Sequence, residues 1–251
     1  KEWRHVFIVD AVTGGVARQV TSGSYNHGTP EWSADGKTIY VSGIRKPDAE
    51  YLRGDTEIHA VDLATLAVTT LTDRSGPDGN PHVSPDGKWI AYTGFDQQNF
   101  TSHVASLHVM DTAGGGKRLL AGKLPSSPDV VGWAADGSGF YYSMEERGED
   151  NLYFVGVAAN AAPRKVTTGT HVLQAISVAD GGQAAAVRTS VTQPGVLVTF
   201  NVARPAETPP SRHSRAWRRS RGLCGSRPGL PRPGCIRRGR RRVSRAPRPR
   251  R

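Results

Sequence analysis

One motif returns four times along this chain, and it limits the folds the chain can adopt. Pro30-Glu31-Trp32-Ser33-Ala34-Asp35-Gly36-Lys37-Thr38-Ile39-Tyr40 is echoed by Pro81-His82-Val83-Ser84-Pro85-Asp86-Gly87-Lys88-Trp89-Ile90-Ala91. A third copy reads Gly132-Trp133-Ala134-Ala135-Asp136-Gly137-Ser138-Gly139-Phe140. A weaker fourth reads Ile176-Ser177-Val178-Ala179-Asp180-Gly181-Gly182-Gln183. The Asp-Gly pairs stand at 35, 86, 136 and 180, in steps of 51, 50 and 44 residues. A period in that range with strand-like segments indicates a β-propeller, with one four-stranded sheet, or blade, per repeat.

Each repeat divides into four predicted strands. The first ends at the Trp-Ser or Val-Ser pair, and the Asp-Gly turn comes next, where glycine can take the positive φ of a tight hairpin. Period-two alternation marks the second strand in Thr38-Ile39-Tyr40-Val41-Ser42, Trp89-Ile90-Ala91-Tyr92-Thr93 and Phe140-Tyr141-Tyr142-Ser143. Third strands are expected at 57–62, 107–111 and 151–155, and fourth strands at 68–72, 117–120 and 164–167. The opening segment 6–21 reads as the third and fourth strands of an earlier blade. Val196-Leu197-Val198-Thr199-Phe200 reads as a third strand without a fourth. The expected fold is all-β: an incomplete propeller of about four to five four-stranded blades, an open arc. Seven blades of this length would need roughly 350 residues, and only residues 1–207 carry the pattern. The chain begins in mid-strand, at Val6-Phe7-Ile8-Val9, and without Met. The N-terminus therefore reads as truncated and the chain as a fragment of a longer protein.

The whole-chain charge of +11 hides two unlike parts. Residues 208–251 hold 16 Arg, no Lys and no acid, which leaves 17 basic and 22 acidic residues in 1–207, a balance of −5. From Pro209 onward Arg, Pro, Gly, Ser and Ala dominate, too little apolar material for a core, so this basic tail is expected to be disordered. It reads either as a native arm that binds nucleic acid through phosphate charge or as an out-of-frame translation of GC-rich coding sequence. The second reading fits better, because the tail interrupts a blade and Trp217 is its only aromatic residue for base stacking. Nucleic acid is therefore not an expected partner. Both cysteines, Cys224 and Cys235, lie in the tail, so the propeller part needs no disulfide. No apolar run of about 18 residues encodes a membrane span. Composition leaves the compartment open.

The repeated turn motif describes the fold and carries no chemistry; Trp32 and Trp133 are expected to pack between blades and the Asp to cap the turn. Function is expected instead on the opposite face, where the second-to-third loops are long. These are 44–55, 95–103 and 145–150. Their charged residues Arg45, Glu50, Arg53, Asp96 and Glu145 are the candidate substrate-binding groups. Glu145 and Glu146 could pair around a substrate ammonium, or form a solvated acidic turn. The eight histidines show no metal-ligand spacing, and His59 and His108 occupy equivalent third-strand positions, which indicates a structural role. No Gly-x-Ser-x-Gly elbow, Gly-x-x-x-x-Gly-Lys-Ser/Thr loop or Gly-x-Gly-x-x-Gly is present. No catalytic centre, metal site or cofactor is expected in this chain.

The phrase 30–40 and its return at 81–92 resemble the TolB-like propeller repeat. The stretch from Trp32 to His103, with Val41-Ser42-Gly43-Ile44-Arg45 and Tyr92-Thr93-Gly94-Phe95-Asp96, is similar to the propeller half of bacterial prolyl oligopeptidase-family serine peptidases of the dipeptidyl aminopeptidase/acylaminoacyl peptidase type. The resemblance covers residues 1–207. It implies a propeller that precedes an α/β-hydrolase domain, screens its active site and admits short or unstructured peptides. Nothing of that domain is present, so no catalytic residue carries over. The implied function is the gating and docking portion of a serine peptidase, with peptides as partners through the missing domain. The alternative is a stand-alone TolB-like scaffold that binds other proteins.

Overall fold

The computed structural model describes residues 2–204 except 48, 50, 53 and 98–101. The expected boundary at 207 and the Arg-rich tail lie outside the described residues. Within them the chain is all-β, with seventeen strands in four sheets. β1 (Phe7–Asp10) and β2 (Gly14–Gln19) form an antiparallel pair, the half-blade expected at the start. β3 (Glu31–Trp32), β4 (Thr38–Gly43), β5 (Glu57–Asp62) and β6 (Val68–Thr70) form the second blade as a simple meander. β7 (Asp78–Val83), β8 (Trp89–Gly94), β9 (Ser106–Asp111) and β10 (Arg118–Leu119) form the third. β11 (Asp129–Trp133), β12 (Gly139–Glu146), β13 (Glu149–Gly156) and β14 (Arg164–Lys165) form the fourth. β15 (Val172–Val178), β16 (Gln183–Ser190) and β17 (Gln193–Asn201) come last, as three strands of a fifth. One parallel pairing, Asp150 with Val172, joins the last two blades into a single seven-stranded sheet.

The turn motif builds the same hydrogen-bond cage twice. Ser84 Oγ donates to Asp86 Oδ1 at 2.6 Å and accepts the Trp89 N–H at 2.9 Å, while Asp86 Oδ1 accepts the Lys88 N–H at 3.2 Å. In the earlier copy Ser33 Oγ donates to Asp35 Oδ1 at 2.7 Å and accepts the Thr38 N–H at 2.9 Å, and Asp35 Oδ1 accepts the Lys37 N–H at 3.1 Å. Gly36 and Gly87 hold φ of 70° and 69°, which L side chains rarely adopt. The fourth copy is one residue out of step. Gly182, with φ 73°, takes the place of Gly36, and its N–H donates to Ala179 O as that of Gly36 does to Ser33 O.

A second repeated device ties the third strand to a threonine just past the fourth-strand position. Thr21, Thr72 and Thr167 each accept, through Oγ1, the backbone N–H of Val6, Ile58 and Leu152 at 2.8–2.9 Å. The third-to-fourth turns are capped by Asp10, Asp62 and Asp111, whose Oδ1 accepts N–H groups two to four residues on. Asn201 makes the same contact with Ala203 N at the end of β17. The third strand of the fifth blade thus ends on the same turn contact as its counterparts.

Two expectations need correction. Residues 145–150 are not a long loop. Arg147 (φ 57°) and Gly148 (φ 81°) make a two-residue turn, with Glu146 paired to Glu149. Two consecutive positive φ values match the twist of the strands, so β12 and β13 run on into the hairpin. Trp32 does not pack between blades; it is 52% exposed. Trp133 does pack, edge-on to Phe140, and its Nε1 donates to His82 O on the preceding inner strand at 2.8 Å. No inner strand precedes β3 among the described residues, so Trp32 lacks the surface that its counterpart uses.

Trp133→Phe should lower unfolding stability by about 1 kcal/mol through loss of that hydrogen bond, and Trp32→Phe should change it by less than about 0.5 kcal/mol; urea titration of both variants measures the difference. The Asp86 carboxyl is held down to about 2, first by the Ser84 hydroxyl and then by Lys88. Its contribution is present above the ordinary value of 3.8 and is lost as pH falls through about 2. Asp86→Asn should therefore be less stable than the parent chain at neutral pH, and the difference should close as pH falls through about 2.

Candidate functional site

The inner strands β3, β7, β11 and β15 come from four successive blades, and their opening residues face a common cavity of about 630 Å³. Its walls include Glu31, Asn80, His82, Asp129, Asp150 and Ala175. Three of these strands carry a register break at this level, between Gly79 and His82, Val130 and Gly132, and Gln174 and Ser177. Such β-bulges re-aim backbone and side chains locally. Asn80 and Ala175 sit in two of the breaks with φ of 51° and 49°, uncommon for residues with a Cβ.

The cavity is acidic. Glu31, Asp129 and Asp150 line it, and among the described residues no Lys or Arg does. Burial pushes the Glu31 carboxyl up, and the Val83 N–H that donates to it pulls the other way. Burial also raises the Asp150 carboxyl, and the charges of Asp129 and Glu145 raise it further. Asp150 Oδ1 is shielded from solvent and accepts no hydrogen bond. His82, its ring edge-on to Phe140, is pushed down by burial and so favours the neutral form. A pocket of this character attracts a cationic or hydrogen-bond-donating group.

Of the candidate binding residues, Glu145 is paired across the strands with Asp150 of the cavity wall. Arg45 and Asp96 hold equivalent places just beyond β4 and β8, and both are engaged. Arg45 donates to His27 Nε2 at 2.9 Å and to Ser22 O at 3.3 Å, and its guanidinium lies 4.8 Å from the Tyr25 ring centre. Asp96 meets Arg74 Nη1 at 3.4 Å. No hydrogen bond or ion pair joins Arg45, Asp96 and Glu145 among the described residues. Glu50 and Arg53 lie outside them. His59 and His108 are buried in their sheets; His59 Nε2 donates to Gly43 O at 3.0 Å.

Sequence reasoning misses Glu31, His82, Asp129 and Asp150. The first two stand in plain view, at the position after proline in the repeated motif. With Trp32 and Val83 taken as packing residues, the alternation itself places Glu31 and His82 on the other face. Asp129 and Asp150 carry no comparable signal, because they meet only through the pairing of β11, β12 and β13.

Meander blades arranged about a polar axis define an incomplete TolB-like propeller. No protein-family profile matches the chain. In sequence it is 28% identical over 142 residues to dipeptidyl-peptidase 5 of Porphyromonas gingivalis, a stretch that makes up 56% of this chain and 21% of that protein. In fold it resembles TolB from Acinetobacter baumannii, with a TM-score of 0.61 and 18% identity over 80% of this chain and 47% of the other. It also resembles puromycin hydrolase, with a TM-score of 0.65 and 18% identity over 82% of this chain and 34% of the other. The chain thus spans about a fifth of the peptidase relative and under half of TolB. The resemblance to TolB and prolyl oligopeptidase-family propellers holds at the level of fold.

Asp129→Asn removes one of the charges that raise Asp150, and the Asp150 titration midpoint should fall towards the ordinary carboxylate value; carboxyl ¹³C NMR across the acid range reads it.

Proposed function

We propose that this arc is the non-catalytic propeller portion of a serine peptidase and that it gates and docks peptides for an α/β-hydrolase domain outside this sequence. The observation that supports this most directly is the acidic cavity on the axis, with Glu145 paired to Asp150 of its wall. A peptide entering there presents amide N–H groups and cations to Glu31, Asp129 and Asp150. The cavity admits an extended segment and excludes a folded domain, so the arc selects by size before any chemistry occurs. The likeness to dipeptidyl-peptidase 5 supplies the reaction class. Arg45 and Asp96 then act by fixing the roots of the long loops, and Glu145 by adding charge beside Asp150. The purified chain should give no turnover of chromogenic dipeptide substrates, and hydrolysis above background would refute the inert role. It should bind a fluorescent peptide, and Asp129→Asn with Asp150→Asn together should weaken that binding by roughly tenfold; unchanged anisotropy titrations would remove the cavity from the reading.

A second reading, a TolB-like protein-binding scaffold, is favoured by the fold likeness to TolB. The coding sequence on either side separates the two. A hydrolase domain with its Gly-x-Ser-x-Gly elbow supports the peptidase, and a stop codon after a completed sixth or seventh blade supports the scaffold.

A further inference from the structure

Between the second and third blades, the connector 71–77 and the segment 95–97 clasp each other. Gln97 N–H donates to Ser75 O at 2.7 Å and Phe95 N–H to Pro77 O at 3.3 Å. Gly76, at φ 137°, lets the two backbones touch, since a Cβ there would collide with the Phe95 carbonyl. Gly94 does the same for Asp78, whose carboxylate occupies the place of a Cβ.

Arg74 ties the clasp at three points. Its Nε lies 3.2 Å from Asp78 Oδ1, its Nη1 3.4 Å from Asp96 Oδ1, and its Nη2 3.2 Å from His108 Nδ1. These partners belong to β7, the segment after β8, and β9. The Asp78 side chain is 2% exposed and that of Asp96 is 74% exposed. Asp78 Oδ1 and Arg74 Nε are close enough to pair, yet their geometry is not that of a hydrogen bond. The buried end of the clasp is held by charge and not by a directed bond.

We propose that this clasp is a proton-operated latch beside the axial cavity, closed while Asp78 is ionised and loosened when Asp78 takes up a proton. Two residues beyond Asp78, Asn80 already lines that cavity, so the latch sets how firmly the start of β7 is held. Among the described residues, the groups that act on Asp78 or on the side chains around it are Arg74 and Asp73 of the connector, Glu57 of β5 and Tyr92 of β8. Asp96 beyond β8, His108 of β9 and Lys117 before β10 complete the set. Burial raises the Asp78 carboxyl to about 6 although Arg74 pulls it down. Burial and Arg74 push His108 down to about 4, so it stays neutral while Asp78 titrates. Glu57 is raised as well, by burial first and by the Asp78 charge among lesser causes.

Protonation leaves the guanidinium without its buried counter-ion. Only the exposed Asp96 then opposes it, a contact weakened by solvent, and an unpaired buried charge is costly. In the loosened arrangement Arg74 withdraws while Asp78 stays buried against Gly94 of β8, so the burial that raises its carboxyl is kept and the lowering by Arg74 is lost, and acid favours that arrangement. Relative to the unfolded chain the sign is different. The folded value lies above 3.8, so Asp78 contributes stability below 3.8 that is lost as pH rises through about 6. Acidification therefore opens the latch without unfolding the blade.

Residue-resolved amide exchange on the full chain tests this, at about pH 7.5 and about pH 5 and corrected for the intrinsic rate. Phe95 and Gln97 should lose roughly tenfold in protection at the lower pH, while Leu107 and Val109 in the core of β9 stay unchanged. Asp78→Asn should show the loosened values at both pH values, which also separates Asp78 from Glu57. Equal protection of Phe95 and Gln97 at the two pH values, or parental protection in Asp78→Asn at about pH 7.5, overturns the latch. Should the variant not fold, the carboxyl ¹³C titration of Asp78 in the parent chain decides. A midpoint that coincides with the loss of protection supports the latch, and one below about pH 5 overturns it. The latch stands apart from the peptidase reading, and neither result bears on peptide binding or turnover.

Discussion

The inner sheets of this arc bury apolar side chains on both faces, and a sheet of that kind is stabilised by a neighbour on each side. The four buried clusters of the structure are the four seams between successive blades. Val20 meets Val41 and Val61; Ile58 meets Ile90 and Met110; Leu107 and Val109 meet Phe140 and Tyr142; Leu152 meets Ala186 and Val198. The hydrophobic effect acts across these seams, and polar contacts at their edges fix the orientation. Arg18 donates to Leu63 O, and Arg118 donates to Val157 O from the equivalent place two blades on. Tyr40 Oη reaches Thr112 O in the same way. At the ends the pattern fails: Phe7, Val9 and Val16 at one and Leu197 at the other stand open to solvent. Repeat architectures need a cap at such faces, and these four residues mark where one belongs.

The strands are legible in the sequence for the same reason. Alternation in Thr38–Gly43 and Trp89–Gly94 records a strand buried on both sides by its neighbours, and the two share one burial pattern residue for residue. The serine and aspartate of the turn are legible because the cage they build closes within a few residues. The features that escape a sequence reading depend on distant pairing. Glu145 to Asp150 resembles a solvated acidic loop in isolation, and only the partnership of β12 with β13 makes it a hairpin. Trp32 and Trp133 are equivalent in sequence and differ in exposure because one has an inner strand beside it. Arg45 and Asp96 look like free charges on a loop, whereas His27 and Arg74, from other connectors, hold them.

The axial cavity arises from the arrangement of strands more than from any motif. Inner strands must approach one another around an axis, and their opening residues then converge. Bulges in β7, β11 and β15 turn that convergence into a walled space. Asp129 and Asp150 are 21 residues apart in sequence. They share the cavity because Asp129 pairs with Ser143 on β12 and Asp150 of β13 pairs with Glu145 two residues further along β12. Their mutual repulsion is retained across a closely packed sheet.

The two faces of the arc handle acid in opposite ways. Asp10, Asp35, Asp62, Asp86 and Asp136 cap the short turns, and hydrogen bonds from neighbouring N–H and hydroxyl groups hold all five carboxyls low. Glu31, Glu57, Asp78 and Asp150 stand at the opposite ends of the blades from these caps, and burial raises all four. The first group supports the fold above the ordinary carboxylate value and fails only below it. The second group changes charge above that value, while the turns still hold. Proton-dependent behaviour therefore belongs to the face with the cavity and the clasp, and it can be expressed while the sheets themselves remain intact.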